Sequence, residues 1–196
     1  MSTSYPPVDV ARTKPGDQRK RDLLDAAESL VLERGVDGLT VDEVVGGAGV
    51  AKGTFYLHFA TKAELIRALR HRYLERFVAR QRAAVRDGAD DGAARVERWV
   101  VTGVLEYLDE VRLHDVLFHH GTRDEDTTTN LAIVELHRLL DEVEAPVPDR
   151  EATAVLLYHV MHGAADQVAH DPGQRERLLA EVSRVCRAVL AVPRGS

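Results

Sequence analysis

Lys52, Gly53, Thr54, Leu57 and His58 fall on one side of a short helical stretch, with Phe55 and Phe59, four apart, on the other. The second pair, together with Val50, forms an inward face. The first set carries tips suited to the edges and backbone of a double helix. A lysine at Lys52 can donate to guanine O6 and N7 or to a phosphate oxygen. Gly53 has no side chain to hold a backbone away, Thr54 offers a hydroxyl and a methyl, and Leu57 can lie on a thymine methyl. The chemistry on offer is hydrogen bonding and apolar contact to a duplex, not bond making.

Such a face needs elements to present it, and the flanking residues supply them. Thr40 and Glu43 form a T-x-x-E capping box, with Leu39 and Val44 placed as a hydrophobic staple across it. The helix they open, from Val41, is expected to fade at Gly46-Gly47, because glycine loses the most backbone entropy in a helix. Gly49 suits the left-handed turn that follows, and a second helix starts at Ala51 or Lys52. Thr61 with Glu64 repeats the capping box and opens a third, longer helix. Helix, tight turn, helix and a new cap spell a helix-turn-helix.

Other reactive side chains form no comparable pattern. Adjacent His119 and His120 would point about 100° apart on a helix, so with His114 and Asp115 they do not converge on one ion. His159 and His162, one turn apart and near Asp166, are the better-placed pair, yet no zinc-type spacing accompanies them. No nucleophile elbow or phosphate-binding glycine loop is present. The expectation is no metal, no cofactor and no enzymatic activity. Cys186, the single cysteine, excludes an intrachain disulfide and reads as a small core or interface residue.

The apolar helix from Arg19 to Arg34, Gly35, Leu39-Thr40, Ala48-Gly49-Val50, Lys52-Gly53-Thr54-Phe55-Tyr56, His58-Phe59, Lys62 and Leu65 together resemble the DNA-binding domain of the TetR family of bacterial transcriptional regulators. The resemblance covers residues 17–70 and departs at Gly46-Gly47, where relatives carry better helix formers. It implies phosphate contacts from Thr40, Tyr56, His58 and Lys62. Tyr56 read without it is equally a core aromatic, and Thr40 caps its helix in either case.

The 196 residues carry a net charge of −6, unpromising for a nucleic-acid partner until its distribution is read. Residues 1–80 hold 13 Lys/Arg against 11 Asp/Glu, whereas the remainder holds 13 against 21. Attraction to DNA must then come from a local footprint of Arg12, Lys14, Arg19, Lys20, Arg21, Lys52 and Lys62. Leu, Val, Ala, Glu and Arg dominate and strand-like alternation is almost absent, so the fold is expected to be all-α. Four parts are expected: a flexible arm at 1–16, the helix-turn-helix domain at 17–63, a helical ligand-binding and dimerisation domain at 64–192, and a tail at 193–196 that resembles a protease-cleavage linker. No apolar run reaches the roughly eighteen residues of a membrane span, which points to no membrane partner and a cytoplasmic location.

Beyond the head, helices are expected over 61–86, 92–112, 114–120, 127–144, 149–170 and 174–192. The last two carry the candidate dimer face: Leu156, His159, Val160, Gly163, Ala164 and Gln167, then Leu178, Val182, Val185, Cys186 and Val189. Two such helices from each copy would make a four-helix interface, though an ordinary intrachain core would use the same stripes. Trp99, Gly103, Tyr107, Leu117, Phe118, His137, Tyr158 and His162 are the candidate lining of a small-molecule pocket, a mixture of apolar walls and polar tips. The functional expectation is a homodimeric regulator on a palindromic operator, a repressor released by an unidentified small-molecule effector. The alternative is a helical small-molecule-binding protein or enzyme with an incidental helix-turn-helix.

Overall fold

Glycines, caps and carboxylate–guanidinium pairs set where each helix of this chain stops and what it leans on. The computed structural model describes residues 16–86, 91–118, 130–144 and 147–191; the N-terminal arm, His119, His120 and the C-terminal tail lie outside these. Among the described residues there are nine α-helices: α1 (Gly16–Arg34), α2 (Val41–Ala48), α3 (Lys52–His58), α4 (Lys62–Arg86), α5 (Gly92–Asp109), α6 (Val111–Phe118), α7 (Leu131–Asp141), α8 (Arg150–His170) and α9 (Arg175–Leu190). The fold is all-α, and no strand occurs among the described residues.

Helix α1 ends at Gly35, whose positive φ of 77° closes the turn while its N–H donates to the Val31 carbonyl. The head is α1 to α3 with the start of α4, packed around Leu23, Ala27, Val31, Leu39, Val44, Phe55, Phe59 and Leu65. In the body α5 is the central element, touching α4, α6, α7, α8 and α9, with Trp99, Val100 and Val104 fully buried. The expected division after residue 63 falls inside the continuous α4. One rigid element of 25 residues, about 36 Å long, therefore belongs to both halves.

Helix limits differ from expectation at α2, α5, α6 and α7, and those of α2 and α5 have a local setting that can be named. Helix α2 runs through Gly46-Gly47 to Ala48. A Cβ on Gly47 would sit 3.2 Å from the Ala26 methyl, so the missing side chain lets α2 lie close against α1. The helix expected over 92–112 instead breaks at Glu110, where the chain leaves α5 and re-enters as α6. The Glu110 N–H closes the last turn onto Glu106 and Tyr107, and its carboxylate lies 3.2 Å from Arg80 on α4.

Candidate nucleic-acid interface

The reader is assembled by its turn. Thr40 caps α2 in extended backbone; its hydroxyl accepts from the Glu43 N–H and donates to the Glu43 carboxylate at 2.7 Å. Arg34 pairs with the same carboxylate, and the Thr40 hydrogen bond, with Arg34 second, lowers the Glu43 pKa. Gly49 takes φ 65° and ψ 36°, the left-handed conformation expected of it. Val50 then bonds back to Val45 and the chain re-enters a helix at Lys52. Phe55 and Phe59 are sealed in the core with ring centres 5.7 Å apart, anchoring the seven-residue α3 from beneath.

What remains outward is the face read from sequence. Leu57 is 78 % exposed and Tyr56 54 %, unusual for side chains of that size. Lys52 and Gly53 are exposed, and Thr54 and His58 half-buried. Tyr56 therefore stands on the surface, not in the core. No atom lies within 4 Å of where a Cβ on Gly53 would stand, so nothing inside the chain requires glycine there. Lys62 donates to the Asp37 carbonyl at 3.1 Å, tying the start of α4 to the turn after α1. Thr61 and Glu64 cap α4 reciprocally: the Glu64 N–H donates to the threonine hydroxyl, and the glutamate accepts from the Ala60 N–H.

Sequence reasoning missed Asp42. Its carboxylate lies 2.7 Å from Lys52 Nζ across the two reader helices, and this hydrogen bond and charge push the lysine pKa up. An acidic residue beside the one lysine of α3 leaves part of that positive charge already used. The ten-residue separation of Asp42 and Lys52, one on each side of a glycine turn, was the available signal.

Head and body are stitched by a ladder of arginines at four-residue spacing on α4. Arg72 donates to Asp25, Glu28 and the Leu24 carbonyl of α1. Arg76 donates to Glu28 and lies 3.9 Å from Glu110, while Arg80 pairs with Glu106 and Glu110 of the body. Burial alone would raise the Glu28 pKa, but hydrogen bonds and charge from Arg76 and Arg72 outweigh it and lower it. Two further bonds cross the junction: Arg112 to the Leu32 carbonyl and Arg70 to the Leu117 carbonyl.

In the body, part of the candidate pocket lining converges. Tyr107, Phe118, Tyr158 and His162 meet around His114, which sequence reasoning had not placed there. Ring centres lie 4.3 Å apart for Tyr107–His114, 5.0 Å for His114–Phe118, 5.3 Å for His114–His162 and 4.4 Å for Tyr158–His162. The Tyr107 hydroxyl faces Asp115 at 3.2 Å, and burial with that carboxylate pushes its pKa up. Tyr73 edges onto the cluster, its hydroxyl buried without a partner among the described residues. The seven- and four-residue spacings of Tyr107, His114 and Phe118 could have identified the group. Leu117 is fully buried.

Trp99, Gly103 and His137 stand elsewhere. A Cβ on Gly103 would meet Met161 Sδ at 2.1 Å and Gln81 Nε2 at 2.4 Å, so this stretch is closed packing. The Gln81 amide donates to the Trp99 carbonyl at 3.0 Å. His137 is exposed, in an open groove of about 270 Å³ with Ile133, Val134, Glu151 and Ala154. Of the candidate dimer face, Leu156, His159, Gly163, Gln167 and Val189 are exposed, and Val160, Ala164, Leu178 and Val185 half-buried. Val182 and Cys186 turn into the chain's own core, where burial pushes the Cys186 thiol up to about 12. No group of three or more His, Cys, Asp or Glu suited to a metal occurs among the described residues. Nor does any described helix have the length and apolarity to cross a membrane.

An α2–turn–α3 unit on a small head, continued by one long helix into an all-α body, is a helix-turn-helix arrangement. Residues 23–69 match the model of "Bacterial regulatory proteins, tetR family", so the head is similar to that of this family. It is 32 % identical over 117 residues to the HTH-type transcriptional repressor KstR2 of Rhodococcus jostii, covering 55 % of this chain and 56 % of that protein. It is 36 % identical over 77 residues to the HTH-type transcriptional activator FasR of Mycolicibacterium smegmatis, covering 39 % and 35 %. The matches thus span about a third to a half of these relatives. The fold is similar to that of the regulator FadR from Bacillus subtilis, solved in complex with stearoyl-CoA, with TM-score 0.61, 18 % identity, and 87 % and 97 % of the two chains covered.

Proposed function

We propose that this protein is a ligand-responsive transcriptional regulator that binds a palindromic operator in the cytoplasm as a homodimer. The observation that carries the reading is the α3 face. Two large apolar side chains, Tyr56 and Leu57, stand in solvent beside Lys52 and Gly53, on a helix whose other side is locked by Phe55 and Phe59. Leaving that much apolar surface uncovered is costly unless a partner covers it. In this reading Thr54 and Leu57 meet base edges, Lys52 meets a base edge or a neighbouring phosphate, and Thr40, Tyr56, His58 and Lys62 meet phosphates.

A single short helix reads only half a site, and a second copy raises effective concentration at the other half. The exposed Leu156 and Val189, with Gly163 between the turns of α8, support α8 and α9 as the joining face. The named relatives include an activator and a repressor; repression is proposed, with release by effector. The cluster of Tyr107, His114, Phe118, Tyr158 and His162 is proposed to take an apolar effector, as the FadR neighbour's stearoyl-CoA complex suggests for this fold. An effector wedged there would displace α6, and the arginine ladder on α4 would carry the shift to α1 and the reader.

The test is retardation of the protein's own upstream DNA, followed by titration with long-chain acyl thioesters. Retention of a discrete complex that such a compound dissolves is the expected result. Failure to discriminate upstream DNA from scrambled duplex would overturn the operator reading. A discrete complex indifferent to every compound would leave the operator and remove the effector.

A further inference from the structure

The body is acidic, yet one recess in it is rimmed by arginine. Arg82 and Arg86 from the end of α4, Arg95 from α5 and Arg138 from α7 line a cavity of about 290 Å³ with Val85 and Glu135. One carboxylate, Glu135, lies low beneath its guanidiniums. The Glu135 side chain is 4 % exposed and accepts from Arg82 at 2.7 Å and from Arg138 at 2.7 and 2.9 Å, whereas those two arginines are half exposed. Glu142 bridges Arg138 and Arg95 in the same way. Among the described residues, two carboxylates meet four arginines there, an excess of two positive charges.

The network also leaves donors over. Among the described residues, Arg82 uses only Nη2 and Arg95 only Nη1 in these bonds, and Arg86 makes no ion pair. A purely structural network would be expected to balance its charges and cover its donors. Here forks from three helices converge on open space, the arrangement that suits a doubly charged, multi-oxygen anion. Arg82 lies about 30 Å along α4 from Lys62, so the recess does not belong to the reader.

We propose that this recess is a binding site for a small phosphate-bearing anion, in which Arg82, Arg86 and Arg95 hold the phosphate oxygens and Glu135 and Glu142 hold the arginines. It stands independently of the operator reading. The test is titration calorimetry of the full chain with sodium pyrophosphate, inorganic phosphate, ribose 5-phosphate and, at matched ionic strength, succinate. Saturable binding of pyrophosphate at one per chain is expected, weakened at least tenfold in Arg86→Gln without loss of the ligand-free melting temperature. Arg95→Lys, which keeps charge and loses the fork, should weaken it too, and Arg177→Gln on the exposed face of α9 should not. Tighter ribose 5-phosphate than inorganic phosphate assigns the site to a phosphate ester, and the reverse order to free phosphate. Absence of saturation, equal binding by Arg86→Gln, equal loss in Arg177→Gln, or succinate binding as tightly as pyrophosphate would each overturn the proposal.

Discussion

Replacing Asp42 by asparagine should make this protein bind DNA more tightly and read it less well. In the free protein the Asp42 carboxylate sits 2.7 Å from Lys52 Nζ, with 73 % and 54 % of the two side chains exposed. Lysine so held meets a duplex with a competing anion at its elbow, and a nearby phosphate must displace or share that anion. Asparagine keeps the shape and removes the charge, freeing Lys52 to neutralise one more phosphate. Each phosphate neutralised on B-DNA adds about 0.9 to the slope of log affinity against log salt. Across a fourfold salt increase the variant should therefore lose about 3.5 times more affinity than the parent. The assay is fluorescence anisotropy on a preferred duplex and on a scrambled one at several salt concentrations. The gain at low salt should be larger on the scrambled duplex, so discrimination falls. An unchanged slope, or weaker binding to both duplexes, would refute the argument that Lys52 is held back by Asp42.

Gly53→Ala should leave the melting temperature unchanged or slightly raised, since no atom crowds the added methyl, yet weaken duplex binding at least tenfold if backbone approach there is needed. Leu156→Glu places a charge on an exposed position of α8; sedimentation should show monomers and operator affinity should fall, with helix content by circular dichroism unaltered. Glu28 and Glu135 are both held below the ordinary carboxylate range by arginines despite burial. Their stabilisation is therefore complete above about pH 4.5 and is lost as pH falls through the lowered folded values. Thermal melts from about pH 6 to about pH 3.5 should show that loss, with a shallower fall in Glu135→Gln.

The head was legible in sequence because its signals are local. A capping box, a glycine at φ 65° and two phenylalanines four apart are decided within a few residues, and the structure has each where expected. The body was legible only as helices. Glu110, at the helix break, meets Arg80 from α4, and Gly103 is packed shut by Met161 and Gln81. Those partners are distant in sequence and no periodicity announces them. Val182 and Cys186 share a stripe with Val185 and Val189, yet the first two face inward, because a hydrophobic stripe does not say which neighbour covers it. Asp42 shows the same limit at the reader, since its importance lies in a partner across the turn.

The account rests on α3 meeting a duplex with its exposed face, and selection of bound sequences from a random duplex pool tests this most directly. The parent should enrich an inverted repeat, and Leu57→Glu, at a position 78 % exposed and free of the core, should enrich nothing while melting like the parent. No enrichment by the parent, or the same repeat recovered by Leu57→Glu, would contradict it.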